Sequence, residues 1–187
     1  MILEKANKKD FKSVYELYTK SFPRIERKPK WLLKSKLFKD YDLFVVREED
    51  KIAGFMIAVP VKNTNLVMLD YLAVNTELRS KGYGSFILSE VYNYYKGKKV
   101  FLACETVDEA ADNYTQRQKR YAFYAKNGWK NTGLITEGSS GEMYILSHEP
   151  ITREDYILAQ QFACTKLLAR LGKLDAIYHK ELDDFSK

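Results

Sequence analysis

Between residues 69 and 85 the chain reads as a strand that runs through a basic, glycine-spaced loop into a helix. Leu69-Asp70-Tyr71-Leu72-Ala73-Val74 alternates and is apolar-rich, the pattern of a buried strand. Arg79-Ser80-Lys81-Gly82-Tyr83-Gly84-Ser85 follows, and Phe86-Ile87-Leu88 then opens a helical pattern. The amides of such a loop converge on one spot and the helix start adds positive partial charge, so the stretch is suited to holding an anionic group. Gly82 and Gly84 are expected to supply positive φ and close backbone approach.

The rest of the chain supplies strands and helices around this stretch. Residues 1–6 read as a strand, and Asn7 with Asp10 makes a weak capping box before an amphipathic helix over about 8–21. Pro23 and Pro29 bracket a loop that cannot continue that helix, and a short second helix is expected near 30–39. Strands over 41–47, 52–61 and 66–74 are separated by polar turns and read as an antiparallel meander. A helix over about 83–96 ends at Gly97, and the strand 100–104 should lie parallel to 66–74 through a right-handed crossover. A helix over 115–127 ends at Gly128, and two strands, 129–136 and 142–147, flank the turn 137–141. Residues 152–187 read as two helical stretches separated by Gly172, the first with a face at Tyr156, Ala159, Ala163 and Leu167. The tail could close the core, cover an edge or form a homodimer contact, and the sequence leaves these open. The expected organisation is a domain over 1–150 with a helical extension over 151–187.

Composition removes several classes. With only His148 and His179, no histidine-based metal cluster or histidine-centred triad can be assembled, and no metal is expected. Cys104 and Cys164 sit in apolar contexts and read as buried free thiols. No window is long and apolar enough for a membrane span, and the start lacks the pattern of a signal peptide, so a cytoplasmic protein is expected. The net charge of +6 is uneven: residues 1–40 hold twelve Lys/Arg against five Asp/Glu, and the remainder nineteen against twenty. A solvated lysine-rich face explains that excess, with an anionic partner as the sharper reading. Nucleic acid is not expected, because a recognition motif and interleaved aromatics are missing.

Glycine spacing separates the ligands. Gly84 is followed by Ser85-Phe86 where a Walker loop needs Lys-Ser/Thr, and Ile87 stands where a dinucleotide fingerprint needs a small residue. Leu72-Ala73-Val74, four residues and then Arg-x-x-Gly-x-Gly resemble the GNAT family of acyl-CoA N-acyltransferases. Tyr121-Ala122-Phe123-Tyr124-Ala125-Lys126-Asn127-Gly128-Trp129 resembles that family's second signature, and the element order over 1–147 agrees.

The resemblance implies an α/β fold of the GNAT type: antiparallel N-terminal strands, a central parallel pair and, here, a C-terminal helical tail. It implies an N-acetyltransferase that moves an acetyl group from acetyl-CoA directly to a primary amine in a ternary complex. The CoA pyrophosphate would lie on Arg79, Ser80, Lys81, Gly82, Tyr83, Gly84 and Ser85. A bulge in strand 66–74 would free backbone groups, so that the Leu72 amide polarises the acetyl carbonyl and Val74, beyond Ala73, bonds the pantetheine. Tyr124 matches the tyrosine that protonates the departing thiolate. The base is Glu105 or Asp70, with Glu105 slightly preferred. Met68 stands where histone-acetylating members carry a carboxylate, which argues against a histone-type site. Arg117 and Arg120 replace the usual Asn and Ala of the helix; either arginine could reach a CoA phosphate. A non-catalytic CoA-binding module is the alternative, and the acceptor amine is left open.

Overall fold

Alternating apolar residues from Tyr41 onward build a ladder of antiparallel strands, and its turns follow local chemistry. In the computed structural model, which describes residues 1–138, 141–163 and 177–179, the chain divides into two units, Met1–Lys98 and Lys99–Lys187. In the first, strands β1 (Leu3–Lys5), β2 (Asp42–Glu48), β3 (Lys51–Pro60) and β4 (Leu66–Val74) pair in sequence order, each antiparallel to the next. Glu49 and Asp50, at φ +48° and +65°, form a two-residue turn between β2 and β3 whose twist matches that of the strands.

The continuous burial of β3 from Ala53 to Val59 means that both its faces are covered. Helix α1 (Phe11–Ser21) takes one face, where Tyr18 lies 6.5 Å from Phe55 between ring centroids. Its start carries the expected capping box: the Asn7 side chain accepts from the Lys9 amide, and Asp10 accepts from the Asn7 amide, across a 3₁₀ turn at Lys8–Asp10. Helix α2 (Lys30–Lys36) is shorter than the expected 30–39. Leu37 leaves it to bridge to Tyr41, and Phe38 takes φ +67° to make that reversal, which buries Leu32, Leu33 and Leu37 together with Tyr41. Helix α3 (Tyr83–Tyr94) packs on β3, and Ile87 lies against Gly54.

In the second unit β5 (Lys99–Glu105), β7 (Gly141–Ser147), β6 (Lys130–Gly138) and β8 (Ile177–His179) lie in that order, all antiparallel. Helix α4 (Tyr114–Lys126) packs on β5. Helix α5 (Arg153–Ala163) is the first of the two expected tail helices; Thr152 and Asp155 cap it reciprocally, and Tyr156, Ala159 and Ala163 are buried as the spacing predicts. Further on, β8 is a strand where helix was expected, because its backbone pairs with Leu134–Thr136 of β6. Cys164, Leu167, Gly172 and the turn residues Ser139 and Ser140 lie outside the described residues. The fold is mixed α/β. Among the described residues no helix is long and apolar enough to cross a membrane.

Gly54 is the most closely surrounded of the described glycines. A Cβ there would stand 2.8 Å from the Ile87 side chain and 2.9 Å from the Ala73 carbonyl oxygen. Gly54→Ala should therefore lower unfolding stability by about 1–3 kcal/mol in a denaturant titration; an unchanged midpoint would mean that α3 and β4 do not press on β3 in this way.

Candidate active site

The β3–β4 ladder carries one extra residue. Ile57 faces Tyr71 and Ala58 faces Leu69, so Asp70 is left between them as a bulge. Beyond it Tyr71 and Ala73 are buried, whereas Asp70, Leu72 and Val74 are only partly covered. The bulge expected in this strand therefore falls on Asp70 itself, two residues before Leu72.

After Val74 the Asn75 side chain accepts from the Glu77 amide (3.4 Å) and starts a 3₁₀ turn over Thr76–Leu78. Ser80 and Gly82 then take φ +63° and +87°, and the Gly82 carbonyl accepts the Phe86 amide at 3.0 Å as α3 begins. The amides of Tyr83, Gly84 and Ser85 lie in the first turn of α3, where an α-helix gives its amides no intrahelical acceptor. Arg79, Ser80, Lys81 and Gly82 are exposed around them. The expectation of positive φ holds at Gly82 and not at Gly84, which lies inside α3; Ser80 carries the second left-handed position. A Cβ at Gly82 would meet nothing within 4 Å, so its glycine is required by conformation and not by crowding.

Asp70 makes an ion pair with Lys28, both side chains being 13–15% exposed. The Lys28 ammonium also lies 5.1 Å from the Tyr71 ring centroid and 5.7 Å from that of Tyr41, a cation-π setting on two sides. Two tyrosine hydroxyls pin the segment that carries it: Tyr18 Oη accepts from the Lys28 amide (2.8 Å), and Tyr71 Oη donates to the Glu26 carbonyl (2.7 Å). Burial pushes the Tyr18 hydroxyl up to about 12 and that of Tyr71 higher still, so both stay phenols across the neutral range.

In the second unit Glu105 ends β5 and is 3% exposed. Its carboxylate accepts from Asn113 Nδ2 at 3.3 Å, lies 3.6 Å from Arg117 Nε and pairs with Arg120. Arg117 in turn donates to Asn113 Oδ1 (2.6 Å) and to the Thr106 carbonyl (3.3 Å). Thus Glu105 and Arg117 share one cluster, and each holds the other in place. Tyr124 sits two residues before the end of α4. The Trp129 amide donates to the Tyr124 carbonyl (3.1 Å) and the Gly128 amide to that of Ala125 (3.0 Å), with Gly128 at φ +83°. This left-handed cap fixes the helix end, and Trp129, buried against His148 at 4.7 Å, anchors it. Burial raises the Tyr124 hydroxyl above its ordinary value, with Cys104 adding to the rise and the Arg120 charge opposing it. Burial likewise pushes the Cys104 thiol up to about 11, which suits a core thiol and not a nucleophile.

Lys28 and Tyr41 beside Asp70, and Asn113 beside Glu105, are contacts of the candidate residues that the sequence does not single out. The proline brackets around 23–29 were the available signal for Lys28; the partner of Asp70 lies 42 positions away in sequence.

Comparisons with known proteins agree with this fold. Residues 11–129 match the family model described as the acetyltransferase (GNAT) family. No curated protein matches the chain with significance. Among solved structures, a GNAT-family protein of Bacteroides thetaiotaomicron is similar at TM-score 0.68 and 19% identity, over 88% of this chain and 100% of that one. An aminoglycoside 6'-N-acetyltransferase complexed with coenzyme A reaches 0.65 at 16% identity, over 81% of this chain and 99% of that one. The ribosomal-protein-S18-alanine N-acetyltransferase of Escherichia coli reaches 0.61 at 16% identity, over 81% and 96%.

The cluster at Glu105 sets a testable cost. Glu105→Gln removes the carboxylate that Arg117 and Arg120 share, and stability should fall by about 3 kcal/mol in denaturant unfolding. The double variant with Arg117→Gln should lose less than the sum of the two single changes, as expected for residues in one network.

Proposed function

The chain belongs to the GNAT family of acetyltransferases, and from that membership we propose that it moves the acetyl group of acetyl-CoA directly to a primary amine in a ternary complex. The observation that carries the reading is the exposed basic turn at 79–82 leading into the first-turn amides of α3, within the segment matched by the family. A pyrophosphate placed there would meet backbone donors and helix-end charge together, with Arg79 and Lys81 beside them. That the aminoglycoside acetyltransferase structure contains coenzyme A supports the choice of donor. Arg117 is tied to Glu105 and Asn113, so the basic turn, not Arg117, is the phosphate site in this reading.

The reaction needs a polarised carbonyl, a neutral amine and a proton for the leaving thiolate. The Leu72 amide on β4 would donate to the acetyl oxygen, and Val74 to the pantetheine arm beyond Ala73. The amine nitrogen forms a bond to the carbonyl carbon as the carbon–sulfur bond breaks. Tyr124 supplies the thiolate with a proton. Between the two carboxylates considered as base, Glu105 has its oxygens committed to two arginines and an amide, whereas Asp70 has a lysine side chain that can leave. Asp70 is therefore the better acceptor for the amine's proton, reversing the slight preference for Glu105 that the sequence suggests.

Free thiol released from acetyl-CoA in the presence of a panel of primary amines tests the reading, with CoA binding followed by calorimetry. Tyr124→Phe should lower kcat by about 100-fold or more while CoA affinity stays within a factor of about two. Because burial raises the Tyr124 hydroxyl, the acid stays protonated past the ordinary tyrosine range, and the alkaline limb of kcat should lie above pH ~10. A CoA-binding protein without turnover of any amine, and with no effect of Tyr124→Phe, would instead be a binding module. Gly82→Val, forced into a left-handed conformation, should weaken CoA binding by about tenfold.

A further inference from the structure

Asp70 is held by a lysine that belongs to no helix or strand. Lys28 lies in the segment between Pro23 and Pro29, and its side chain alone reaches the carboxylate. The backbone of that segment is fixed separately, by the hydroxyls of Tyr18 and Tyr71. The ammonium can therefore withdraw by side-chain rotation without loosening the segment or breaking the β4 ladder. What surrounds it is shaped for one cation: a carboxylate on the bulge, and two aromatic rings 5.1 Å and 5.7 Å from the nitrogen.

We propose that Asp70, with the faces of Tyr41 and Tyr71, is the seat of the acceptor's ammonium group, and that Lys28 is an internal occupant displaced when the acceptor binds. The proposal rests on the acyl-transfer reading above and names the acceptor class within it. Emptying the seat leaves a mostly buried carboxylate uncompensated, so whatever displaces Lys28 must bring a positive charge of its own. Aliphatic primary amines, which arrive protonated at neutral pH, meet that condition. Arylamines, which arrive neutral, do not. Among the described residues Lys28 and Asp70 form the ion pair at the seat, Arg27 lies on the same segment with a buried Nε, and the Tyr18 and Tyr71 phenols remain neutral. Lys28 then acts as a competitor: its loss strengthens acceptor binding, the opposite sign to that of a residue kept only for stability.

The test titrates wild type, Lys28→Met and Asp70→Asn by calorimetry at neutral pH with n-butylamine hydrochloride and with aniline, each with CoA bound. Lys28→Met should bind butylammonium about tenfold more tightly than wild type, Asp70→Asn should lose that binding, and aniline should bind weakly to all three. Unchanged or weaker butylammonium binding by folded Lys28→Met overturns the proposal, as does unchanged binding by Asp70→Asn. Lys28→Gln serves if the methionine variant fails to fold. In the wild type, the ε-methylene resonance of Lys28, followed by NMR with 13C-labelled lysine, should move on addition of butylammonium, and a resonance that stays fixed counts against displacement. The CoA arm separates the two readings: absence of CoA binding strikes at the acetyltransferase assignment, whereas CoA binding with no Lys28 effect strikes at the ammonium seat alone.

Discussion

Much of the first unit depends on a single unpaired residue in β4. A strand in register with β3 along its whole length would keep one strict alternation from Leu66 to Val74. The extra residue at Asp70 breaks it: the four residues before the bulge are all buried, and those after it alternate between buried and half-covered. The bulge thereby turns a core strand into one that can present Leu72 and Val74, and it turns a carboxylate out of the ladder toward Lys28. Gly54 on β3 complements this, because its missing side chain lets Ile87 of α3 and the Ala73 carbonyl close in. The helix that follows the basic turn is thus seated hard against the strand that precedes it.

Two carboxylates, one buried and one partly covered, illustrate how environment divides roles between chemically similar groups. Glu105 is enclosed by Asn113, Arg117 and Arg120, all on or just before α4, so its contacts brace that helix against β5. Among the described residues Asp70 has one cationic partner, Lys28, which itself lies outside helix and strand between two aromatic faces. The first arrangement is a network in which one carboxylate is shared by an amide and two guanidinium groups. The second is a site with an exchangeable occupant.

Local signals were legible in the sequence and long-range ones were not. The capping box at Asn7 and Asp10, the turn at Glu49-Asp50, the helix start at Gly82 and the helix end at Gly128 each depend on residues a few positions apart, and all appear where local chemistry places them. The early end of α2 was hidden because Leu37 gains more from Tyr41 than from another helical turn, a tertiary choice. The strand at Ile177–His179 was hidden for the same reason, since its pairing partner in β6 lies some forty residues earlier. Of the candidate site, the basic turn proposed for the phosphates and the position of Tyr124 could be read from motif spacing. The Lys28–Asp70 pair could not, because neither residue carries a mark of its partner.

The central claim is that the turn from Arg79 into α3 is where this acetyltransferase holds the pyrophosphate of its donor. Backbone hydrogen exchange of the full chain, measured with and without CoA, tests it most directly. The amides of Gly82, Tyr83, Gly84 and Ser85, with little intrahelical protection of their own, should slow markedly when CoA binds. CoA binding that protects other amides and leaves these four unchanged would contradict it.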